Sequence, residues 1–158
     1  MAFVIDLKKC KELEAKKGWV TTKVDADAGN GQECVAAVKK LIWDEKPLPT
    51  SAWRRGKKVK SGAVLPGTAI ATFPKEATRK NGERFHYTGH AAIFAGYHAD
   101  ESGFKVYDQW KGRPFGERPL RYKCGGDVSN DGEAFFVIEL KEVPSDEPAL
   151  CSSSSSYR

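Results

Sequence analysis

Cys34, His90 and Asp108 are the residues of this sequence whose types, order and surroundings suit covalent chemistry. A cysteine nucleophile needs a base within reach, and the base needs an orienting partner. Gly29, Asn30 and Gly31 make a flexible turn shortly before Cys34. Val35, Val38, Leu41 and Ile42 then recur at helical spacing, which predicts a helix from about Gln32 to near Trp43. Cys34 would sit in its first turn. A helix N-terminus carries partial positive charge and unpaired N–H groups, so it favours a thiolate and can hold an oxyanion. A buried structural cysteine is the bland alternative for this stretch alone. His90 and Asp108 weigh against it. His90 opens a strand just after Gly89, and Asp108 lies near the end of the next strand, in alternation with Phe104, Val106 and Trp110. If those strands form a hairpin, the two residues lie near one edge, and a carboxylate in apolar company is satisfied by a histidine.

The elements that must position these residues divide into two halves. A first helix is predicted over residues 7–17, with Leu7, Cys10 and Leu13 on a narrow face and Gly18 as its cap. Residues 19–24 read as a short extended piece. After the Cys34 helix, Lys46-Pro47-Leu48-Pro49 breaks the chain. Four strands are predicted in the second half, over residues 68–73, 90–97, 104–110 and 134–140, the middle two joined as a hairpin. Residues 74–89 read as a long, basic, mobile loop, and residues 144–158, with five consecutive serines, as a disordered tail. The expectation is an α+β domain over residues 1–143, helices packed on an antiparallel sheet.

The chain has 158 residues, 40% hydrophobic and 30% charged, which suits one globular domain. No apolar run approaches the roughly 20 residues of a membrane span, so no membrane insertion is expected. Met1-Ala2-Phe3-Val4-Ile5-Asp6 carries no basic region and no cleavage signal, so no secretory signal peptide is expected. The net charge of +5 favours anionic partners. Trp53-Arg54-Arg55-Gly56-Lys57-Lys58-Val59-Lys60 holds five basic residues and no acid, and reads either as a solvated face or as an anion-attracting rim. Cys10, Cys34, Cys124 and Cys151 form no CxxC pair, and a disulfide among Cys10, Cys124 and Cys151 stays open. His86 and His90 are four apart, but Tyr87-Thr88-Gly89 between them opposes a helix, and His98 sits in a turn beside Asp100. No metal and no cofactor are expected.

Gly31-Gln32-Glu33-Cys34-Val35, Gly67-Thr68-Ala69-Ile70-Ala71-Thr72-Phe73, Gly89-His90-Ala91-Ala92-Ile93-Phe94 and Val106-Tyr107-Asp108-Gln109-Trp110 together resemble the ordered blocks of small papain-like cysteine hydrolases. The wider group is the NlpC/P60 and CHAP superfamily, and within it the sequence is most similar to amidase effectors of bacterial type VI secretion. The resemblance implies a papain-like fold, with Cys34 as nucleophile, His90 as base and Asp108 as orienter. It implies cleavage of a peptidoglycan amide, in the peptide stem or the cross-link. It further implies manufacture in the cytoplasm, export by a type VI system to a rival's periplasm, and a periplasmic immunity protein as partner. Related sequences tend to read Gly-Gln-Cys; here Glu33 intervenes, and its carboxylate opposes thiolate formation unless it points to solvent. Stem peptides carry carboxylates, so Arg54, Arg55, Lys57, Arg79, Lys80 and Arg84 could draw substrate in, and Gln32 beside the nucleophile is a further candidate substrate contact. Two rivals come from other classes: a nucleic-acid binder built on the basic run and Trp53, and an inactive module that keeps only the fold.

Overall fold

The computed structural model describes residues 2–43, 49–73, 87, 89–123 and 127–140. Among the described residues three α-helices precede the six-stranded sheet. They are α1 (Leu7–Ala15), α2 (Lys23–Asp27) and α3 (Cys34–Ile42). The strands are β1 (Trp53–Lys58), β2 (Ala69–Thr72), β3 (Ala91–Tyr97), β4 (Gly103–Trp110), β5 (Arg113–Arg121) and β6 (Phe135–Leu140). Their spatial order is β1-β6-β2-β3-β4-β5, and every pair is antiparallel. Four strands and the β3–β4 hairpin match the apolar runs of the sequence. Among the described residues no helix is long and apolar enough to cross a membrane.

Period-2 alternation divides the core between the two faces of the sheet. Ala69, Ala71, Ala91 and Ile93 face the side that also holds Cys10, Ala37 and Val38 from α1 and α3. Ile70, Ala92, Phe94, Phe104 and Val106 face the other side, covered by Val59 and Val64. Both faces are dry, so the central strands read as nearly continuous apolar runs. Small residues on the helix face let α3 come close to β3 and β4. That approach brings the start of α3 to the end of the sheet where β3 begins and β4 finishes.

One expectation is corrected, and two edge strands are added. Residues 19–24 are not simply extended: α2 starts at Lys23, with Thr22 as N-cap accepting the Asp25 N–H at 3.0 Å. The basic run after Pro49 forms a strand, and β1 lies at one edge of the sheet, with Trp53 fully buried. A fifth-in-sequence strand, β5, forms the other edge across Pro114 and Pro119, where prolines are tolerated. Cations on one edge and prolines on the other both deter pairing with a further chain. Cys10 holds a free thiol, which removes it from any disulfide. Cys124, Cys151, His86, the tail over 144–158 and most of the 74–89 loop lie outside the described residues.

Candidate active site

Glu33 is the N-cap of α3, so Cys34 is the first helical residue, two positions later than the start expected at Gln32. The Glu33 side chain is exposed and makes no capping bond, so its carboxylate is turned to solvent rather than set against the thiol. The Cys34 side chain is partly buried and reaches the Tyr87 hydroxyl at 3.6 Å. Tyr87 in turn donates to the Gly89 carbonyl at 2.8 Å.

His90 stands immediately before β3, fastened through its backbone. Its N–H donates to Thr72 Oγ1 at 2.9 Å, and its carbonyl accepts the Thr72 N–H at 2.9 Å. Gly89 makes this approach feasible. It has φ +105°, and a Cβ there would lie 2.3 Å from Thr72 Oγ1. His90 Nε2 lies 2.7 Å from Asp108 Oδ2. That leaves Nδ1 for the hydrogen bond between the imidazole and Cys34, so the ring bridges nucleophile and carboxylate.

Asp108 is 1% exposed and receives more donors than the histidine alone. Arg118 Nε donates to Oδ2 at 2.9 Å and to Oδ1 at 3.1 Å, and Arg113 Nη1 reaches Oδ1 at 3.2 Å. Arg118 also ties the 128–130 turn, through the Ser129 carbonyl at 2.6 Å and Asn130 Oδ1 at 3.0 Å. Both guanidinium groups lie 5.0 Å from the Trp110 ring, which meets the His90 ring edge-on at 6.1 Å. The alternation that puts Asp108 with Phe104 and Val106 is therefore correct, but Trp110 is partly exposed rather than core.

The electrostatics follow from these contacts. Burial pushes the Cys34 thiol up, but the hydrogen bond and charge of His90, the Tyr87 hydroxyl and the Ala91 N–H more than offset it, and the thiol ends below its ordinary value. Burial pushes His90 down, yet its bonds to Asp108 and Cys34 prevail and carry it up to about 9. Both shifts act in the direction of a thiolate facing an imidazolium. Cys10 behaves oppositely: burial, with Asp6 and Glu14 nearby, pushes it up to about 12, so it is an inert thiol.

Arg113, Arg118 and Tyr87 are the site residues that sequence reasoning missed. An acid expected in an apolar row needs charge partners, but the strand that presents Arg113 and Arg118 beside it, β5, was not among the expected strands. Among the candidate substrate contacts, Gln32 is exposed in the turn before α3 and Lys57 is exposed on β1. Arg54 Nη1 bonds the Ser51 and Trp53 carbonyls at 2.7 and 2.8 Å, and Arg55 stacks on Phe136 at 4.9 Å. Arg79, Lys80 and Arg84 lie outside the described residues. Among the described residues no group of three His, Cys, Asp or Glu is arranged to hold a metal ion.

Comparison with known proteins bears on the fold and the family. A solved structure described as a type 6 secretion amidase effector 2 superposes with TM-score 0.58 at 28% identity, covering 92% of this chain and 99% of that one. The fold is the papain-like α+β arrangement anticipated above. The chain is 37% identical over 142 residues to the domesticated amidase effector 2 of Ixodes scapularis, spanning 89% of this chain and 90% of that protein. The family model described as domesticated amidase effector 2 matches residues 1–138. Sequence, fold and relatives converge, and this chain belongs to the domesticated amidase effector 2 family.

Proposed function

We propose that this protein is a cysteine amidase that cuts a peptide amide of peptidoglycan, in the stem or the cross-link. The observation that carries the reading is His90 bridging a thiol lowered below its ordinary value and a buried carboxylate 2.7 Å from Nε2. The Cys34 sulfur attacks the amide carbonyl, and its electron pair becomes the S–C bond. The N–H groups at the start of α3 face the negative oxygen. The intermediate collapses as His90 passes its proton to the departing amine. Water, activated by the now neutral His90, hydrolyses the thioester and frees Cys34. Asp108 keeps the imidazole in one tautomer throughout.

The rival readings lose their motives. Trp53 is in the core and cannot stack on a nucleobase, and an inactive module has no need of a complete Cys-His-Asp arrangement. The likeness to a type 6 secretion amidase effector supports antibacterial delivery by a type VI system into a target periplasm, with an immunity protein protecting the producer. The relative from Ixodes scapularis favours a second setting, production by an animal cell. Such a cell carries no peptidoglycan and needs no immunity protein.

Expression in a Gram-negative host tests the compartment and the chemistry together. The protein should be tolerated in the cytoplasm and should lyse the host when an export signal is added, and Cys34→Ala should abolish lysis. Equal toxicity in both compartments would refute a wall substrate.

A further inference from the structure

β4 carries two buried polar residues in succession. Asp108 serves His90 on one face of the sheet. Gln109 points to the helix face and is 0% exposed. Its amide is engaged at both ends. Oε1 accepts the Val20 N–H at 2.7 Å, while Nε2 donates to the Val20 carbonyl at 2.9 Å and to the Glu33 carbonyl at 2.9 Å. The pair with Val20 imitates a strand pairing and tethers the segment before α2. The bond to Glu33 has another consequence.

The Glu33 carbonyl already accepts the Ala36 N–H at 3.1 Å, as an N-cap carbonyl does. It is satisfied without Gln109, so the second bond fixes its direction. A trans peptide is planar, and its C=O and N–H point in opposite directions. The N–H across this peptide belongs to Cys34. As the first N–H of α3 it has no partner within the helix, and it makes no backbone hydrogen bond among the described residues. Holding the carbonyl toward the buried Gln109 amide therefore turns the Cys34 N–H outward, beside its own sulfur.

We infer that Gln109 is a positioning residue for the oxyanion donor: by clamping the Glu33 carbonyl it sets the Glu33–Cys34 peptide plane and aims the Cys34 N–H. The target is the oxygen that gains the carbonyl π pair when Sγ bonds to the amide carbon. The inference rests on Cys34 as the nucleophile. It joins the two halves of the site through one strand, since Asp108 orients the base and Gln109 orients the nucleophile's peptide.

The test separates attack that needs an oxyanion from attack that does not. Iodoacetamide alkylates a thiolate by substitution at a saturated carbon and develops no oxyanion. Hydrolysis of sacculi does develop one, as does capture of a peptide aldehyde as a tetrahedral adduct. Gln109→Met keeps the side-chain length and removes both amide atoms. Gln109→Glu keeps an acceptor for Val20 and, when ionised, offers Glu33 no donor. Alkylation of Cys34, located by peptide mapping, should stay within about 2-fold of wild type across the pH range. The hydrolysis rate at saturating substrate and the aldehyde affinity should each fall by roughly 10–100-fold, toward the loss of one oxyanion donor. A parallel fall in alkylation and hydrolysis, no fall in either, or loss of folding in both variants would overturn the inference. Hydrolysis by Cys34→Ala would instead overturn the nucleophile itself, whatever Gln109 does.

Discussion

Asp108→Asn changes one atom of the site and should unsettle more than the base. Three donors converge on its carboxylate: His90 Nε2 at 2.7 Å, Arg118 Nε at 2.9 and 3.1 Å, and Arg113 Nη1 at 3.2 Å. Asparagine offers one oxygen where aspartate offers two, so its NH2 group must face at least one donor. The carboxylate's side chain is 0% exposed and Arg118's only 12%, so little water reaches the vacated position. One charge pair at 4 Å is worth about 4 kcal/mol at an effective dielectric of 20. Removing one partner of a buried pair costs about 3–5 kcal/mol, because the other charge stays buried. For a chain of this size that lowers Tm by roughly 6–20 °C, from 2–4 °C per kcal/mol. Hydrolysis should fall by roughly 10³–10⁴-fold, since an amide that donates to His90 Nε2 inverts the tautomer. Thermal unfolding followed by circular dichroism reads the first effect and sacculus hydrolysis the second. Adding Arg118→Met to Asp108→Asn should recover part of the lost stability, because it removes the stranded cation. An Asp108→Asn protein that melts within about 2 °C of wild type would refute the convergence argument.

Four further outcomes follow from the geometry. Cys10→Ala should leave hydrolysis within about 2-fold of wild type while lowering stability, because that thiol is buried and pushed up to about 12; lost hydrolysis at an unchanged Tm would show a catalytic role. Hydrolysis should rise with pH as Cys34 ionises below its ordinary value and fall near pH 9 as His90 loses the proton it gives to the amine, so a pH–rate profile flat through pH 10 would contradict the assignment. The raised His90 contributes stability in full below its unfolded value of 6.5 and loses it as pH rises through about 9, so the Tm advantage of wild type over His90→Gln should shrink across that window. Gly89→Ala should displace the Thr72 hydroxyl that holds the His90 N–H, lowering hydrolysis at least about 10-fold and stability by about 1–3 kcal/mol; an active, equally stable variant would show that the approach is soft.

Much of this molecule was legible in its sequence, for reasons that differ by element. The strands of the interior carry apolar side chains on both faces, so β2, β3, β4 and β6 announce themselves as runs such as Ala91 to Phe94. Edge strands obey other rules. β1 is cationic and β5 contains two prolines, and both read as surface segments until the sheet is seen to need protected edges. α2 has five residues and no apolar period, and only its Thr22 cap distinguishes it from a turn. In the candidate site, chain order and alternation led to expecting Cys34, His90 and Asp108 near one another, which is where the structure puts them. Arg113, Arg118 and Tyr87 enter through the third dimension, because nothing local links Arg118 to an acid ten residues earlier on a neighbouring strand.

Digestion of purified sacculi, read by liquid chromatography and mass spectrometry, tests the central claim most directly. Wild-type protein should release muropeptides shortened or unlinked at one amide of the stem or cross-link, each product bearing a new amine and a new carboxylate, while Cys34→Ala releases none. Intact sacculi after wild-type treatment, or the same products from Cys34→Ala, would contradict it.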